Sequence, residues 1–109
     1  MNKEIIKILK YRRLKPIDRF IIDTFTGLNN IEENNKILYK KNNIIFFIYD
    51  LYNNIFWCEY DLFWKLLENK YNIYEYQITE IIKNNVKEYF NIDIPEDRIV
   101  DVRFENLSF

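Results

Sequence analysis

Three runs of β-branched and aromatic residues, separated by short asparagine-containing segments, most strongly limit how this chain can fold. The runs cover residues 36–40, 44–49 and 55–60. Asparagine tolerates positive φ better than most residues, so the segments 41–43 and 51–54 are typical of hairpin turns. The pattern therefore predicts an antiparallel β-meander with the 44–49 strand in its middle. Because that strand is apolar on both faces, we expect the helices of the protein to cover one face and the N-terminal segment or a partner to cover the other.

Residues on both sides of the meander show helical spacing. Apolar and basic positions alternate in this way over residues 2–14, and Pro16 then favours a second helix over 16–26 that ends at Gly27. Phe20-Ile21-Ile22 is also compatible with a strand. After the meander, Asp61 can cap a helix over 62–71.

The C-terminal third of the chain predicts one long helix and one further strand. Asn72 and Glu75 form a capping-box pattern ahead of a helix over 73–90. The expected buried stripe of that helix consists of Ile78, Ile82, Val86 and Tyr89. Beyond Pro95 the apolar period returns to two, which predicts a half-buried strand. Its expected buried face consists of Val100, Val102 and Phe104.

Together these elements predict one α+β domain over residues 1–109. It consists of an antiparallel β-meander of three to four strands with helices packed on it, in the order ααβββααβ. Residues 1–15 are expected to form a basic amphipathic helix that can lie apart from the core. A chain of 109 residues leaves no room for a second core.

The residues that the chain lacks exclude most catalytic chemistry. It contains no His, one Gly, one Cys and a single Ser at position 108. Acid–base catalysis by His, Ser–His and Cys–His pairs, Cys/His zinc sites and Gly-rich phosphate loops are therefore excluded. We expect a protein that is not an enzyme and has no cofactor or metal. The lone Cys58 fits a buried position in a reducing compartment such as the cytoplasm. No apolar run is long enough for a membrane span.

Aromatic residues are more numerous than a domain of this size readily buries, with nine Tyr, nine Phe and two Trp. Exposed rings are typical of protein–protein contacts. We therefore predict a protein-interaction module that binds a protein partner or forms a homo-oligomer. The chain is rich in Ile, Asn and Lys and lacks Ala, which indicates A/T-rich coding. Such coding is common in small phage and mobile-element proteins. A protein of that origin would lie in the host cytoplasm. The candidate contact residues are Tyr49, Tyr52, Phe56, Trp57 and Trp64.

Nucleic-acid binding is the alternative prediction, because positive charge is concentrated at the N-terminus. Residues 1–19 contain seven Lys or Arg against two acidic residues, a net charge of +5, whereas the whole chain has a net charge of −1. A basic helix can lie along phosphates and release their counterions. The candidate phosphate contacts are Lys7, Lys10, Arg12, Arg13, Lys15 and Arg19.

A third hypothesis concerns the carboxylates of the second hairpin. The pattern Asp50…Glu59-Tyr60-Asp61 resembles metal-dependent nucleases, which have an acid in one strand and Glu-x-Lys in the next. That resemblance implies Mg²⁺-dependent phosphodiester cleavage. Asp61 stands where those nucleases have Lys, however, and Asp50 and Asp61 also suit a turn and a helix cap.

Overall fold

The α+β class is confirmed by a computed structural model, which describes residues 13–62, 64 and 75–106. The helices are α1 (Pro16–Phe25) and α2 (Glu75–Phe90). Residues 60–62 and 64 are also helical. The strands are β1 (Asn29–Glu33), β2 (Lys36–Lys41), β3 (Ile44–Asp50), β4 (Ile55–Glu59) and β5 (Ile99–Val102), and short 3₁₀ turns cover Glu96–Arg98 and Phe104–Asn106.

The five strands form one mixed sheet in the order β1-β2-β3-β4-β5. Strands β1 to β4 are antiparallel neighbours, whereas β5 pairs with β4 in parallel. The prediction of a purely antiparallel sheet with three to four strands is therefore wrong in its strand count and in the direction of the last strand. The chain between β4 and β5 contains α2, and a helical crossover of this kind is what joins parallel neighbours.

Strand β1 is the element that the sequence pattern does not indicate. Its residues are polar except for Ile31, and all five are exposed, so there is no apolar alternation to detect. The strand is positioned by the turn that follows it. Asn34 and Asn35 have φ values of 51° and 61°, as a two-residue type I′ hairpin requires.

The turn between β1 and β2 was not predicted, whereas the residues that were predicted to form turns have the expected backbone conformations. Asn42 and Asn43 have φ values of 53° and 65° in the β2–β3 turn, and Asn54 has a φ of 51° in the β3–β4 turn. Gly27 has a φ of 71°, two residues after the last residue of α1. The helix after Pro16 is confirmed, and the strand alternative for residues 20–22 is wrong.

The helices pack on one side of the sheet, which we call the inner face. The buried cluster there contains Phe25 of α1, the predicted stripe residues Ile78, Ile82 and Val86 of α2, and alternate residues of the strands. Rings fill much of the space: the Phe25 and Phe47 centroids are 4.9 Å apart, and those of Tyr39 and Phe90 are 4.1 Å apart. Tyr89 lies at the edge of this cluster and is exposed, so its predicted burial is wrong.

The face of β5 that contacts the core is the opposite of the predicted one. Ile99 pairs with Phe56 and is buried on the inner face, whereas Val100 pairs with Trp57 and is exposed. In a strand, consecutive side chains point to opposite faces, so pairing with β4 fixes both at once.

The helix that follows β4 begins at Tyr60, one residue before the predicted cap. The carboxylate of Glu59 accepts a hydrogen bond from the backbone N–H of Asp61 at 2.7 Å, so Glu59 caps this helix in place of Asp61. Most of the predicted 62–71 helix, the 2–14 helix and the Asn72/Glu75 capping box lie outside the residues and side chains that the structure describes.

Candidate interaction surface

The side of the sheet away from α1 and α2, here called the outer face, carries an apolar row that crosses all five strands. The strand register aligns these residues one after another across the sheet. Leu38 and Ile48, at the centre of the row, are buried but do not belong to the inner-face cluster, so β3 has buried residues on both of its faces. The two ends of the row are exposed. The row consists of Ile31, Leu38, Ile48, Trp57 and Val100.

The β3–β4 turn at one end of this face is organised by the Asp50 carboxylate. Its Oδ1 accepts hydrogen bonds from the backbone N–H groups of Tyr52 and Asn53, both at 3.1 Å. Its Oδ2 accepts a third from Nδ2 of Asn53 at 2.9 Å. Burial tends to raise the pKa of Asp50, but these hydrogen bonds and the nearby positive charge of Lys36 outweigh it and leave the pKa below its usual value. Asp50 is therefore an ionised structural residue of the turn.

Further hydrogen bonds connect this turn to its neighbours. The Tyr49 hydroxyl donates to Oδ1 of Asn54 at 2.6 Å, and Nη2 of Arg98 donates to the carbonyl of Asn53 at 2.9 Å. The backbone N–H of Leu51 donates to the carbonyl of Asn35 at 3.0 Å, which joins the turn to the β1–β2 hairpin. The backbone of residues 51–54 is thus fixed from several directions.

Two large side chains project from this fixed backbone into solvent. Tyr52 is 85% exposed and Leu51 is 43% exposed, which makes Tyr52 the most exposed large hydrophobic side chain in the described part of the protein. The side chain of Tyr52 has no packing role that would explain this position. We call Leu51 and Tyr52 the turn tip.

The five predicted contact residues do not form one patch. Phe56 is completely buried in the inner-face cluster, so its assignment to a surface is wrong: its register with Ile99 directs the ring into the core. Tyr49 pairs with Phe56 on the neighbouring strand and is half-buried on the same face of the sheet. Its ring centroid is 6.3 Å from that of Phe56. Trp57 is half-buried on the outer face.

Trp64 lies at the opposite end of β4 from the turn tip. Its Nε1 donates to Oδ2 of Asp101 at 3.2 Å, and its ring is 5.8 Å from that of Tyr60. These contacts give Trp64 a structural role in joining the helix after β4 to β5. Of the predicted set, Tyr52 is the one that is mostly exposed. Leu51 and the exposed outer-row residues were missed because single apolar residues in a turn or an edge strand carry no periodic signal.

The basic candidates are only partly described by the structure. Lys7, Lys10 and Arg12 lie outside the described residues. Arg13 and Lys15 are exposed. Arg19 is half-buried, and among the described residues its buried Nε has no hydrogen-bond partner.

The carboxylates of the nuclease hypothesis do not meet. Asp50 pairs with Ile55 at the start of β4, and Glu59 ends that strand. Four residues of extended strand separate the two positions by roughly 13 Å. Both carboxylates already accept backbone hydrogen bonds. Within residues 13–62, 64 and 75–106 no group of three or more acidic or Cys side chains could hold a metal ion.

Cys58 is completely buried on the inner face. Burial, with a smaller effect of the Asp101 charge, raises the pKa of its thiol far above the usual range. It borders a small apolar cavity of about 20 Å³ between α1, the sheet and α2. Neither the cavity, which is too small for more than a single water-sized group, nor the thiol offers a reactive site.

Comparisons with protein-family models, with curated proteins and with solved structures gave no match, so a functional assignment rests on the geometry alone. The described helices include none with the length and apolar character that a membrane crossing needs.

Proposed function

We propose that this protein is a small non-enzymatic protein-interaction module and that the turn tip is its main contact. The observation that carries the proposal is the 85% exposure of Tyr52 on a turn whose backbone is held by hydrogen bonds to Asp50 and Arg98. A partner could bury the Tyr52 ring without the entropic cost of ordering the loop that carries it.

Tyrosine is well suited to such a contact. It supplies a large, rigid surface with few rotatable bonds and a hydroxyl for hydrogen bonding. Truncation of a central interface tyrosine typically costs at least about 2 kcal/mol, which corresponds to a loss of affinity of roughly 30-fold. Leu51, beside it, adds apolar area to the same contact.

The coding bias and the small size support a phage or mobile-element accessory protein that binds or inhibits a larger protein. The absence of His from the chain, together with the structural hydrogen bonds of Asp50 and Glu59, favours binding over catalysis.

The proposal is tested by affinity capture from an extract of the native source, with quantification by mass spectrometry. Wild-type protein is expected to retain a defined partner that Tyr52→Ala loses by roughly 30-fold. Ile44→Ala is the matched control, because Ile44 is also exposed but starts β3 at the opposite end of the sheet. Equal recovery of the partner by wild type and Tyr52→Ala would contradict the proposal. So would recovery of nucleic acid alone, released by high salt.

A further inference from the structure

Strand β1 forms an open edge of the sheet. It pairs with β2 on one side, and in the described part of the chain no strand lies on its other side. All five of its residues are exposed. Such an edge presents unpaired backbone N–H and C=O groups, which proteins usually protect with Pro, Lys or a bulge. The sequence Asn29–Glu33 contains neither Pro nor Lys, although Glu32 and Glu33 are charged, and the register irregularity lies between β2 and β3.

The other edge of the sheet is less open. Strand β5 has four residues and lies between two 3₁₀ turns. Asp101 accepts a hydrogen bond from Trp64, and Arg103, the first residue after β5, pairs with Asp61 at 3.4 Å. Side chains from the helix after β4 therefore reach this edge of the sheet. Of the two edges, β1 is therefore the better template for another strand.

We propose that two copies of this chain associate through antiparallel pairing of their β1 strands, centred on Ile31. In this register Ile31 faces Ile31 of the second copy, Asn30 faces Glu32, and Asn29 faces Glu33. No like charges lie directly opposite each other, and each Glu faces an amide that can donate a hydrogen bond.

Neighbouring registers are less favourable. Centring the pair on Glu32 places two Glu32 carboxylates directly opposite each other. Centring it on Asn30 separates the two Ile31 side chains and places Leu28 opposite a Glu32. The register centred on Ile31 also joins the apolar rows of the two outer faces into one continuous row, and it covers the Ile31 side chains, which are 45% exposed in the single chain.

A pair of five-residue strands buries less area than a stable interface needs, so the dimer is expected to be weak and to depend on protein concentration. The pairing uses a surface other than the turn tip. If the β1 strands do not pair, the proposed role of the turn tip is unaffected. If the turn tip binds no partner, the proposed pairing of β1 is likewise unaffected.

The register is tested by cysteine cross-linking. Directly opposed residues in an antiparallel pair have Cα atoms about 4.5–5.5 Å apart, which suits a disulfide. Ile31→Cys is expected to form a covalent dimer under mild oxidation at least ten-fold faster than Asn30→Cys, whose counterpart in the second copy lies roughly 8 Å away. Val100→Cys, at the other end of the same row, is the second control. The native Cys58 is buried, so we expect it to take no part in the cross-link.

Association without a covalent link is measured by light scattering over a range of concentrations. The mass of the wild type is expected to rise toward twice that of the chain, Ile31→Lys to remain monomeric, and Val100→Lys to behave like the wild type. Circular dichroism checks that both variants are folded. The proposal is overturned if the wild type is monomeric at every concentration, if Ile31→Lys still dimerises, or if Ile31→Cys cross-links no faster than its controls.

Discussion

Replacing Asp50 by Ala should destabilise the protein and release the turn tip. Asp50 is 4% exposed and accepts three hydrogen bonds within its own turn. Alanine removes every acceptor and leaves the N–H groups of Tyr52 and Asn53 without their protein partner. No other residue in the turn replaces that carboxylate, so the change acts directly on the backbone beneath Tyr52.

The expected loss is about 2–3 kcal/mol in the free energy of unfolding. A hydrogen bond to a charged group contributes about 1.5–3 kcal/mol. The expected loss is smaller than the summed contribution of three such hydrogen bonds. Tyr52 and Asn53 are exposed, so water can form hydrogen bonds with the groups that lose the carboxylate. A domain of this kind has about 5–15 kcal/mol of stability, so Asp50→Ala should still fold.

Asp50→Asn separates the contribution of the charge from that of the oxygen atoms. The amide oxygen can still accept the backbone hydrogen bonds, so we expect a loss of about 1 kcal/mol at neutral pH. The pKa of Asp50 is lower in the folded chain than its usual value. Its stabilising effect is therefore fully present above the unfolded pKa of about 3.9 and is lost as the pH falls through the lower folded value. The difference between wild type and Asp50→Asn should shrink below about pH 4.

Urea unfolding followed by circular dichroism measures these differences. With a slope near 2 kcal/mol/M, a loss of 2 kcal/mol moves the midpoint of Asp50→Ala down by about 1 M. A loss below about 0.5 kcal/mol would refute the assignment of Asp50 as the anchor of the turn. A difference between wild type and Asp50→Asn that does not change between pH 7 and pH 3 would refute the role of its charge.

Two further predictions test the core and the β2–β3 turn. Cys58 should react with a thiol reagent at least 100-fold more slowly in the folded protein than in urea, because burial blocks access and raises the pKa of its thiol; fast labelling of the native protein would contradict this. Asn43 has a φ of 65°, a conformation that only Gly adopts freely. Asn43→Gly should therefore raise the free energy of unfolding by up to about 1 kcal/mol, and Asn43→Ala should lower it by about 1 kcal/mol. Urea midpoints check both variants, and equal stability of Gly and Ala would exclude a type I′ turn.

The candidate site was only partly predictable from the sequence. The abundance of rings suggested exposed aromatic surface, and Tyr52 fits that expectation. Other described rings, including Phe47 and Phe56, instead pack against one another between the sheet and the helices. Whether a ring is inside or outside depends on which face of a strand it occupies, and apolar runs on both faces of β3 and β4 leave that choice open.

The local elements follow from the amino-acid sequence alone. The stripe of Ile78, Ile82 and Val86 fixed α2, and the asparagine pairs fixed the turns, because helical period and positive φ are properties of neighbouring residues. The existence of β1, the parallel pairing of β5 and the separation of Asp50 from Glu59 become evident only from the strand pairing in the folded chain. The parallel pairing joins segments about forty residues apart, whereas β1 and the β3–β4 hairpin depend on the pairing register between neighbouring strands. In each case the backbone hydrogen bonds are made by groups that every non-proline residue has, so the side-chain pattern does not reveal them.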